Sequence, residues 1–313
     1  MRDERLNFEN LLEHLGQAVR GPLKPLAETN IGELREIRLT VERPIQAVYR
    51  DRIRFIGKNG KDCGEYSEKN RLTIGEIQES FAAVCEYSVH TYKNEICGGF
   101  VTVEGGNRVG ICGTAVYEKE KIINVKDISS LNIRISHEIF GAADPVFEAL
   151  RNNGMGGILI AGPPCTGKTT MLRDFARQAG NGNFGMRCHV NIVDERMEIA
   201  GVYRGVPSFD VGSTTTVLNG YMKSDGIISA VRSMAPDFIV CDEFGGDKDV
   251  AASLYAMKSG VLIAASMHTF DEDELIKKQS FVITAEAGIF KWVVFMDKNC
   301  SVSKIIRAQE LLK

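Results

Sequence analysis

The pattern of hydrophobic and polar positions changes between residues 137 and 147 of the chain. Before that point, period-two alternation over residues 33–57 predicts two or three strands interrupted at Pro44. Helical spacing of apolar residues predicts helices over 7–19 and 72–88, and residues 98–136 predict four short strands. The N-terminal part is therefore expected to be an α+β domain built on a mostly antiparallel sheet.

Short, wholly apolar runs alternate with helical stretches in the rest of the chain. Such runs are typical of strands buried on both faces, as in a parallel sheet covered by helices. The predicted strands cover residues 157–162, 188–195, 237–243, 260–268, 291–296 and 302–308, and the predicted helices cover 168–178, 220–233 and 248–257. We therefore expect an N-terminal domain at 1–137, a linker at 138–147 and an α/β domain at 148–313.

Composition narrows the class of protein. The 313 residues are 44% hydrophobic and 25% charged, which fits a folded chain with room for two domains, and the net charge of -3 gives no overall attraction for nucleic acid or anionic lipid. No apolar run approaches the ~18 residues that a membrane-spanning helix needs, and the charged start lacks a secretory pattern, so a cytoplasmic location is expected. The eight cysteines form no C-x-x-C pair, so we expect free thiols.

The stretch GPPCTGKTT, residues 162–170, matches the pattern of a phosphate-binding loop and stands between a predicted strand and a predicted helix. Backbone N–H groups of such a loop and of the helix N-terminus converge on the phosphates. Lys168 would meet the β- and γ-phosphates, and the Thr169 hydroxyl would bind Mg²⁺. The alternative is an ordinary strand-to-helix turn with a surface lysine. The expected nucleotide-binding residues are Gly162, Pro163, Pro164, Cys165, Thr166, Gly167, Lys168, Thr169 and Thr170.

A second element of a nucleotide site is the apolar strand that ends in Asp242 and Glu243. In P-loop ATPases the first carboxylate orders the Mg²⁺ shell, and the next can polarise the attacking water. We therefore assign Asp242 to the metal and Glu243 to the general base. Taken in isolation, this pattern would by default be interpreted as a buried strand that ends in exposed acids.

Three further stretches resemble a known family, the secretion-type ATPases that power type II and type IV secretion and pilus machines. SMHT, at 266–269, resembles the histidine box of that family, which implies that His268 approaches the γ-phosphate. VDERMEIAG, at 193–201, resembles its aspartate box, which implicates Asp194, Glu195 and Glu198.

The strands GGNRVGI and SLNIRIS resemble the two arginine-bearing strands of the same family. The resemblance implies that Arg108 and Arg134 reach the nucleotide across a domain or subunit boundary. It also implies a RecA-like P-loop ATPase domain after an α+β N-terminal domain, ATP and Mg²⁺ as cofactors, and a homo-oligomer, hexameric in that family. A membrane-embedded channel or secretion-apparatus protein would receive the force.

The motifs spread over nearly the whole length and resemble most closely a branch of the family found in endospore-forming bacteria. That narrower resemblance implies a role in endospore development and a location in the mother-cell cytoplasm, attached to the membrane through partners. One departure stands at residues 210–227, where Ser213, Thr216 and Asn219 replace an arginine and aspartates. Those charges are either dispensable or their loss weakens turnover.

Two alternative functions stay open at the level of sequence. RecA-like cores also drive nucleic-acid-dependent ATPases, but the chain shows no basic platform interleaved with aromatic residues, so nucleic acid is disfavoured as a partner. The departures near Ser213 also fit a nucleotide-gated docking protein that binds ATP with little turnover.

Overall fold

The computed structural model describes residues 4–29, 31–63, 68–183, 185 and 187–313. The chain divides into two compact units, Met1–His137 and Glu138–Lys313. Helix α5 begins at Asp144, so residues 144–147 of the expected linker are helical. The division into functional domains at these points stays a prediction.

The first unit combines short helices with one antiparallel sheet, whose strands lie in the order β3-β2-β1-β6-β5-β4. Its apolar core gathers one face of the sheet with the buried faces of the helices. The elements are α1 (Glu4–Glu13), α2 (Gln17–Leu23), β1 (Leu34–Thr40), β2 (Ile45–Tyr49), β3 (Ile53–Ile56), α3 (Ile74–Val84), α4 (Lys93–Cys97), β4 (Phe100–Val103), β5 (Asn107–Glu118) and β6 (Lys121–Arg134).

Two local predictions in this unit are wrong. The single helix expected over 7–19 is two helices, because the chain is extended at Gly16, whose N–H donates to the Ser80 hydroxyl at 3.2 Å. The four short strands expected over 98–136 are three, since β5 and β6 run on as a long antiparallel pair. A register shift between Cys112 and Thr114 marks an irregularity within this pair, and both strands continue beyond it.

The second unit is a sheet with strands in the order β11-β8-β12-β13-β7-β14-β15, parallel except for β15. Its elements, continuing along the chain, are α5 (Asp144–Asn153), β7 (Ile158–Gly162), α6 (Lys168–Asn181), β8 (Val190–Asp194), β9 (Val202–Tyr203), β10 (Val206–Pro207), β11 (Thr215–Asn219), α7 (Lys223–Ser233), β12 (Phe238–Cys241), α8 (Asp247–Lys258), β13 (Leu262–His268), α9 (Glu272–Leu275), α10 (Gln279–Glu286), β14 (Trp292–Met296) and β15 (Val302–Arg307).

Helices cover both faces of this sheet, as the apolar runs predicted. Helices α5 and α6 pack on one face, and α7, α8 and α10 pack on the other. Strands β7, β8 and β12 are buried along their whole length, which explains why their sequences do not alternate.

The parallel strands bring their carboxyl ends to one edge of the sheet. His268 at the end of β13 lies in register with Gly162 at the end of β7. Cys241 at the end of β12 lies in register with Val193 of β8 and Ala265 of β13. Open α/β sheets bind ligands at this edge, so the fold itself places the sequence motifs where a ligand site forms.

Candidate functional site

The phosphate-binding loop is an irregular turn between β7 and α6. Cys165 and Gly167 both adopt left-handed backbone conformations, with φ of 62° and 84°. The Thr166 hydroxyl donates to the Pro163 carbonyl at 2.9 Å and folds the loop on itself. The Cys165 thiol is exposed, and the Cys300 sulfur lies 3.8 Å from the Cys165 carbonyl oxygen. Cys165 therefore adopts, at a position where glycine is common, the left-handed backbone conformation that the loop requires.

Lys168 is not the ordinary surface lysine of the alternative interpretation. Its side chain is buried, and its Nζ donates to the carbonyls of Gly162 at 2.9 Å and Pro163 at 2.5 Å. Burial lowers the pKa of Lys168, against the opposing effect of Cys165 and Glu243. A buried cation at the mouth of a loop of N–H donors is matched to a polyphosphate.

Residues at the ends of β8, β12 and β13 meet at the Glu243 carboxylate. Arg196, which follows β8, reaches Glu243 Oε1 at 2.5 Å, and His268 Nε2 lies 3.4 Å from the same oxygen. The Glu243 N–H donates to the Ser266 hydroxyl at 3.0 Å, while its φ of 46° turns the residue out of the strand direction. The structure thus brings together the predicted general base and the predicted histidine, and it adds an arginine.

Asp194 organises the aspartate-box loop from within. Its carboxylate is buried and accepts the N–H groups of Glu198, Ile199 and Ala200 at 2.8, 3.2 and 2.8 Å. Burial raises the pKa of Asp194, against those three N–H groups and a nearby arginine. Since these bonds occupy the carboxylate within its own loop, Asp194 acts as a scaffold for the residues around it.

A buried arginine holds the same loop from the side of helix α6. Arg173 Nε donates to the Ile199 carbonyl at 2.5 Å, and Nη2 donates to the Glu198 carbonyl at 2.7 Å. Its guanidinium lies 3.7 Å from the centre of the Phe209 ring. Burial lowers the pKa of Arg173 to about 10. The loop after β8 is therefore fixed to the helix that begins at the phosphate loop.

Glu195, predicted from the aspartate box, pairs with a lysine that sequence reasoning missed. Lys223 Nζ lies 3.4 Å from Glu195 Oε2 and donates to the Glu243 carbonyl at 2.9 Å. Arg196 was missed as well, although it stands inside the VDERMEIAG motif directly after Glu195. No sequence signal pointed to Lys223, because it is the first residue of a helix that follows a loop.

Asp242 and Thr169 fit the Mg²⁺ assignment by their chemistry. Asp242 is buried at the end of β12, and Thr169 is the second residue of α6. Burial raises the pKa of Asp242 to about 6, reinforced by the negative charges of Asp194, Glu198 and Glu243. Carboxylate and hydroxyl oxygens are ligands that Mg²⁺ accepts, and a cation would relieve this excess of negative charge.

In the first unit, the two predicted arginines are direct neighbours. Arg108 on β5 lies opposite Arg134 on β6, and Arg134 lies opposite Glu36 on β1. The Glu36 carboxylate is bonded to Arg38 at 2.9 Å, and the Arg108 guanidinium lies 4.1 Å from the centre of the Phe100 ring. Arg134 thus lies between a second arginine and a glutamate on the neighbouring strands.

The segment that departs from the family pattern, residues 210–227, begins away from these residues and ends among them, since it includes Lys223. The Ser213 hydroxyl donates to the Gly180 carbonyl at 3.0 Å, near the end of α6 remote from the phosphate loop. Strand β11 then runs parallel to β8 until Asn219 lies beside Asp194. The replaced positions thus lie in different places, with Ser213 at the far end of α6 and Asn219 beside Asp194.

Nearly the whole chain is similar to a known protein family. Residues 7–308 match the model of the family described as "Sporulation stage III, protein AA". The chain belongs to this family. Stage III sporulation protein AA of Bacillus subtilis strain 168 is 34% identical over 274 residues, which are 87% of this chain and 85% of that protein. The resemblance to a sporulation branch is thereby confirmed.

Solved structures show the fold of this stage III AA family member. The pilus retraction motor PilT, solved with bound ADP, matches with a TM-score of 0.57 and 18% identity, covering 87% of this chain and 77% of that one. The Legionella pneumophila ATPase DotB matches with a TM-score of 0.54 and 16% identity, covering 84% of this chain and 72% of that one. The predicted fold class, a RecA-like parallel-sheet ATPase domain preceded by an α+β domain, is confirmed. Among the described residues, no helix combines the length and apolarity that crossing a membrane demands.

Proposed function

We propose that this protein is a Mg-ATP-hydrolysing motor that serves a trans-membrane channel apparatus during endospore development. The observation that carries the proposal is the convergence on Glu243 of Arg196 and His268 at the sheet edge that also carries the buried Lys168. A lone phosphate loop explains only binding. A carboxylate held at the end of the neighbouring strands adds the group that hydrolysis needs.

In the proposed mechanism, the backbone N–H groups of residues 165–170 hold the phosphates, since Pro163 and Pro164 have none. Lys168 exchanges its contacts with the Gly162 and Pro163 carbonyls for the β- and γ-phosphates. Thr169 and Asp242 would hold Mg²⁺, which would supply positive charge to the transferring phosphoryl group. Glu243 orients and deprotonates the attacking water, and His268 responds to the γ-phosphate. The similarity to PilT, solved with ADP, supports a nucleotide at this site.

Assembly completes the proposal. We infer a homo-oligomer, hexameric as in the secretion-type ATPases that it resembles, in which Arg108 and Arg134 of one subunit stabilise the transition-state charge of another. Force would pass to a membrane-embedded partner. The catalytic chain would lie in the mother-cell cytoplasm and would attach to the membrane through that partner.

The test of the chemistry is the Glu243→Gln variant, which keeps the shape of the side chain and removes its basicity. After incubation with Mg-ATP, the variant should retain intact ATP, while the wild-type protein should hold ADP. Glu286→Gln, on helix α10, is the matched control and should behave as wild type. Normal turnover by Glu243→Gln would remove this residue from the role of base.

The same variant tests the partner. A pull-down from the native host with ATP-bound Glu243→Gln should capture an integral membrane protein that Lys168→Ala does not capture. Equal recovery with both variants would contradict coupling between nucleotide and apparatus.

A further inference from the structure

Lys223 is a buried cation to which the proposed mechanism assigns no role. Its side chain is 6% exposed, and its Nζ contacts three segments that come from different parts of the chain. It donates to the Glu243 carbonyl at 2.9 Å and lies 3.4 Å from Glu195 Oε2 and 3.8 Å from Asp249 Oδ2. One ammonium thus joins the turn after β12, the loop after β8 and the start of helix α8.

The position of Lys223 is unfavourable for the helix that carries it. Lys223 is the first residue of α7, where the helix dipole repels a positive charge. Burying an ammonium adds a desolvation cost unless its hydrogen bonds are satisfied. Stability of α7 therefore gives no reason for a lysine here, and its partners must supply the reason.

The backbone on both sides of the candidate base is bonded by Lys223, by its partner Asp249 and by Ser266. Glu243 adopts a φ of 46°, a left-handed conformation that is strained for a residue other than glycine. The Ser266 hydroxyl accepts the Glu243 N–H, and Lys223 takes the Glu243 carbonyl. Asp249 Oδ2 also accepts the N–H groups of Gly245 and Gly246, so the turn is bonded at successive peptide groups.

We propose that Lys223 is a positioning residue that fixes the direction of the Glu243 carboxylate and couples it to Glu195. The inference rests on the proposed function for its kinetic consequence, and on the geometry alone for its structural one. Lys223 acts through the backbone of Glu243, because its contact is to the carbonyl and Arg196 and His268 hold the carboxylate.

Kinetics give the first test, on full-length Lys223→Met, which keeps the length of the side chain and removes its charge. The kcat for ATP should fall at least tenfold, while KM and the Kd for a fluorescent ATP analogue stay within about twofold, since the phosphate loop is untouched. Lys223→Arg, which restores a cationic donor, should recover several-fold of the lost kcat. Lys248→Met, an exposed lysine on α8, is the control and should match wild type.

A second readout is independent of activity. Hydrogen–deuterium exchange in a peptide covering 241–246 should be faster in Lys223→Met, with exchange in the 158–170 segment unchanged. If Lys223→Met does not fold, the comparison is made on Lys223→Arg. In that variant, exchange of the same peptide should be faster than in the wild-type protein. Unaltered exchange over 241–246, or a kcat within twofold of wild type in Lys223→Met, overturns the inference.

The two proposals fail in distinguishable ways. Absence of hydrolysis in the wild-type protein would reject the motor while the exchange experiment still decides the role of Lys223. A drop in kcat accompanied by an equal rise in KM and Kd would show general damage to the site and would reject a positioning role.

Discussion

Two buried aspartates at the ends of neighbouring strands serve different purposes. Asp194 has a pKa raised by burial, but three backbone N–H groups bond to its carboxylate and oppose that shift. Asp242 has a pKa raised to about 6 by burial and by surrounding carboxylates. The first carboxylate supports a loop, whereas the second is electrostatically suited to a metal ion that arrives with the substrate.

Asp242→Asn should therefore stabilise the nucleotide-free, Mg²⁺-free protein in a pH-dependent way. The folded-state pKa of Asp242 is above the unfolded value, so folding is unpenalised below pH 4 and progressively penalised as pH rises to about 6. With 1.36 kcal/mol per pKa unit, removing the charge gains about 3 kcal/mol at pH 7.5 and about 1 kcal/mol at pH 4.5.

The measurement is urea unfolding of wild type and Asp242→Asn at both pH values in the presence of EDTA. An equal difference in the free energy of unfolding at pH 4.5 and 7.5 would show that ionising the Asp242 carboxylate carries no cost in the folded protein. Loss of stability in the variant at pH 7.5 would reverse the sign of the argument.

At the scale of elements, helix α7 is held closely against strand β8. A Cβ added to Gly226 would lie 2.4 Å from Val193 Cγ1, so only glycine allows the approach that places Lys223 beside Glu195. Glycine inside a helix costs about 1 kcal/mol relative to alanine. The close packing of α7 on β8 must therefore contribute more stability than the helix propensity that alanine would add at this position.

Gly226→Ala should lower the free energy of unfolding by about 1–2 kcal/mol, because overpacking exceeds the gain in helix propensity. Gly75→Ala in helix α3 is the control, since a Cβ there meets only Thr73 Oγ1 at 4.0 Å. Chemical denaturation of both variants measures the difference. Equal stability of the two variants would mean that α7 can move away from β8 without cost.

The sequence was most informative where a single local rule decides the outcome. The loop between β7 and α6 was predicted because glycine, lysine and threonine stand at fixed spacing between an apolar run and a helical one. Wholly apolar runs likewise predicted the buried parallel strands.

Contacts between distant segments could not be predicted in the same way. Lys223 meets Glu195 and Glu243 only because α7 packs on β8 and β12 lies beside it. Arg196 was visible in its motif, but its partner stands 47 positions away, and no local pattern names that partner. The join of β5 and β6 into one long ribbon depended on register shifts that pairing alone determines.

At the scale of the whole molecule, the proposal assigns catalysis to the second unit and a trans contribution to the first. Arg108 and Arg134 lie opposite each other on β5 and β6, and in the proposal they reach the nucleotide of another subunit. This predicts that activity depends on association between chains.

The specific ATPase activity should accordingly rise with protein concentration. Arg108→Ala and Arg134→Ala should each remove that rise, about a 10²-fold loss if the arginine stabilises transition-state charge. Arg54→Ala is the control, because Arg54 lies on β3 at the opposite edge of the sheet and pairs with Asp62. Unchanged rates in both test variants at every concentration would reject a contribution in trans.

The most direct test of the central claim is the initial rate of phosphate release by the intact chain over a range of Mg-ATP concentrations, measured beside Lys168→Ala. The account predicts saturable, Mg²⁺-dependent release by the wild-type protein and none above background by the variant, because Lys168 is the buried cation of the phosphate loop. Equal release by both proteins, or ATP binding by the wild type without release at any protein concentration, would contradict it.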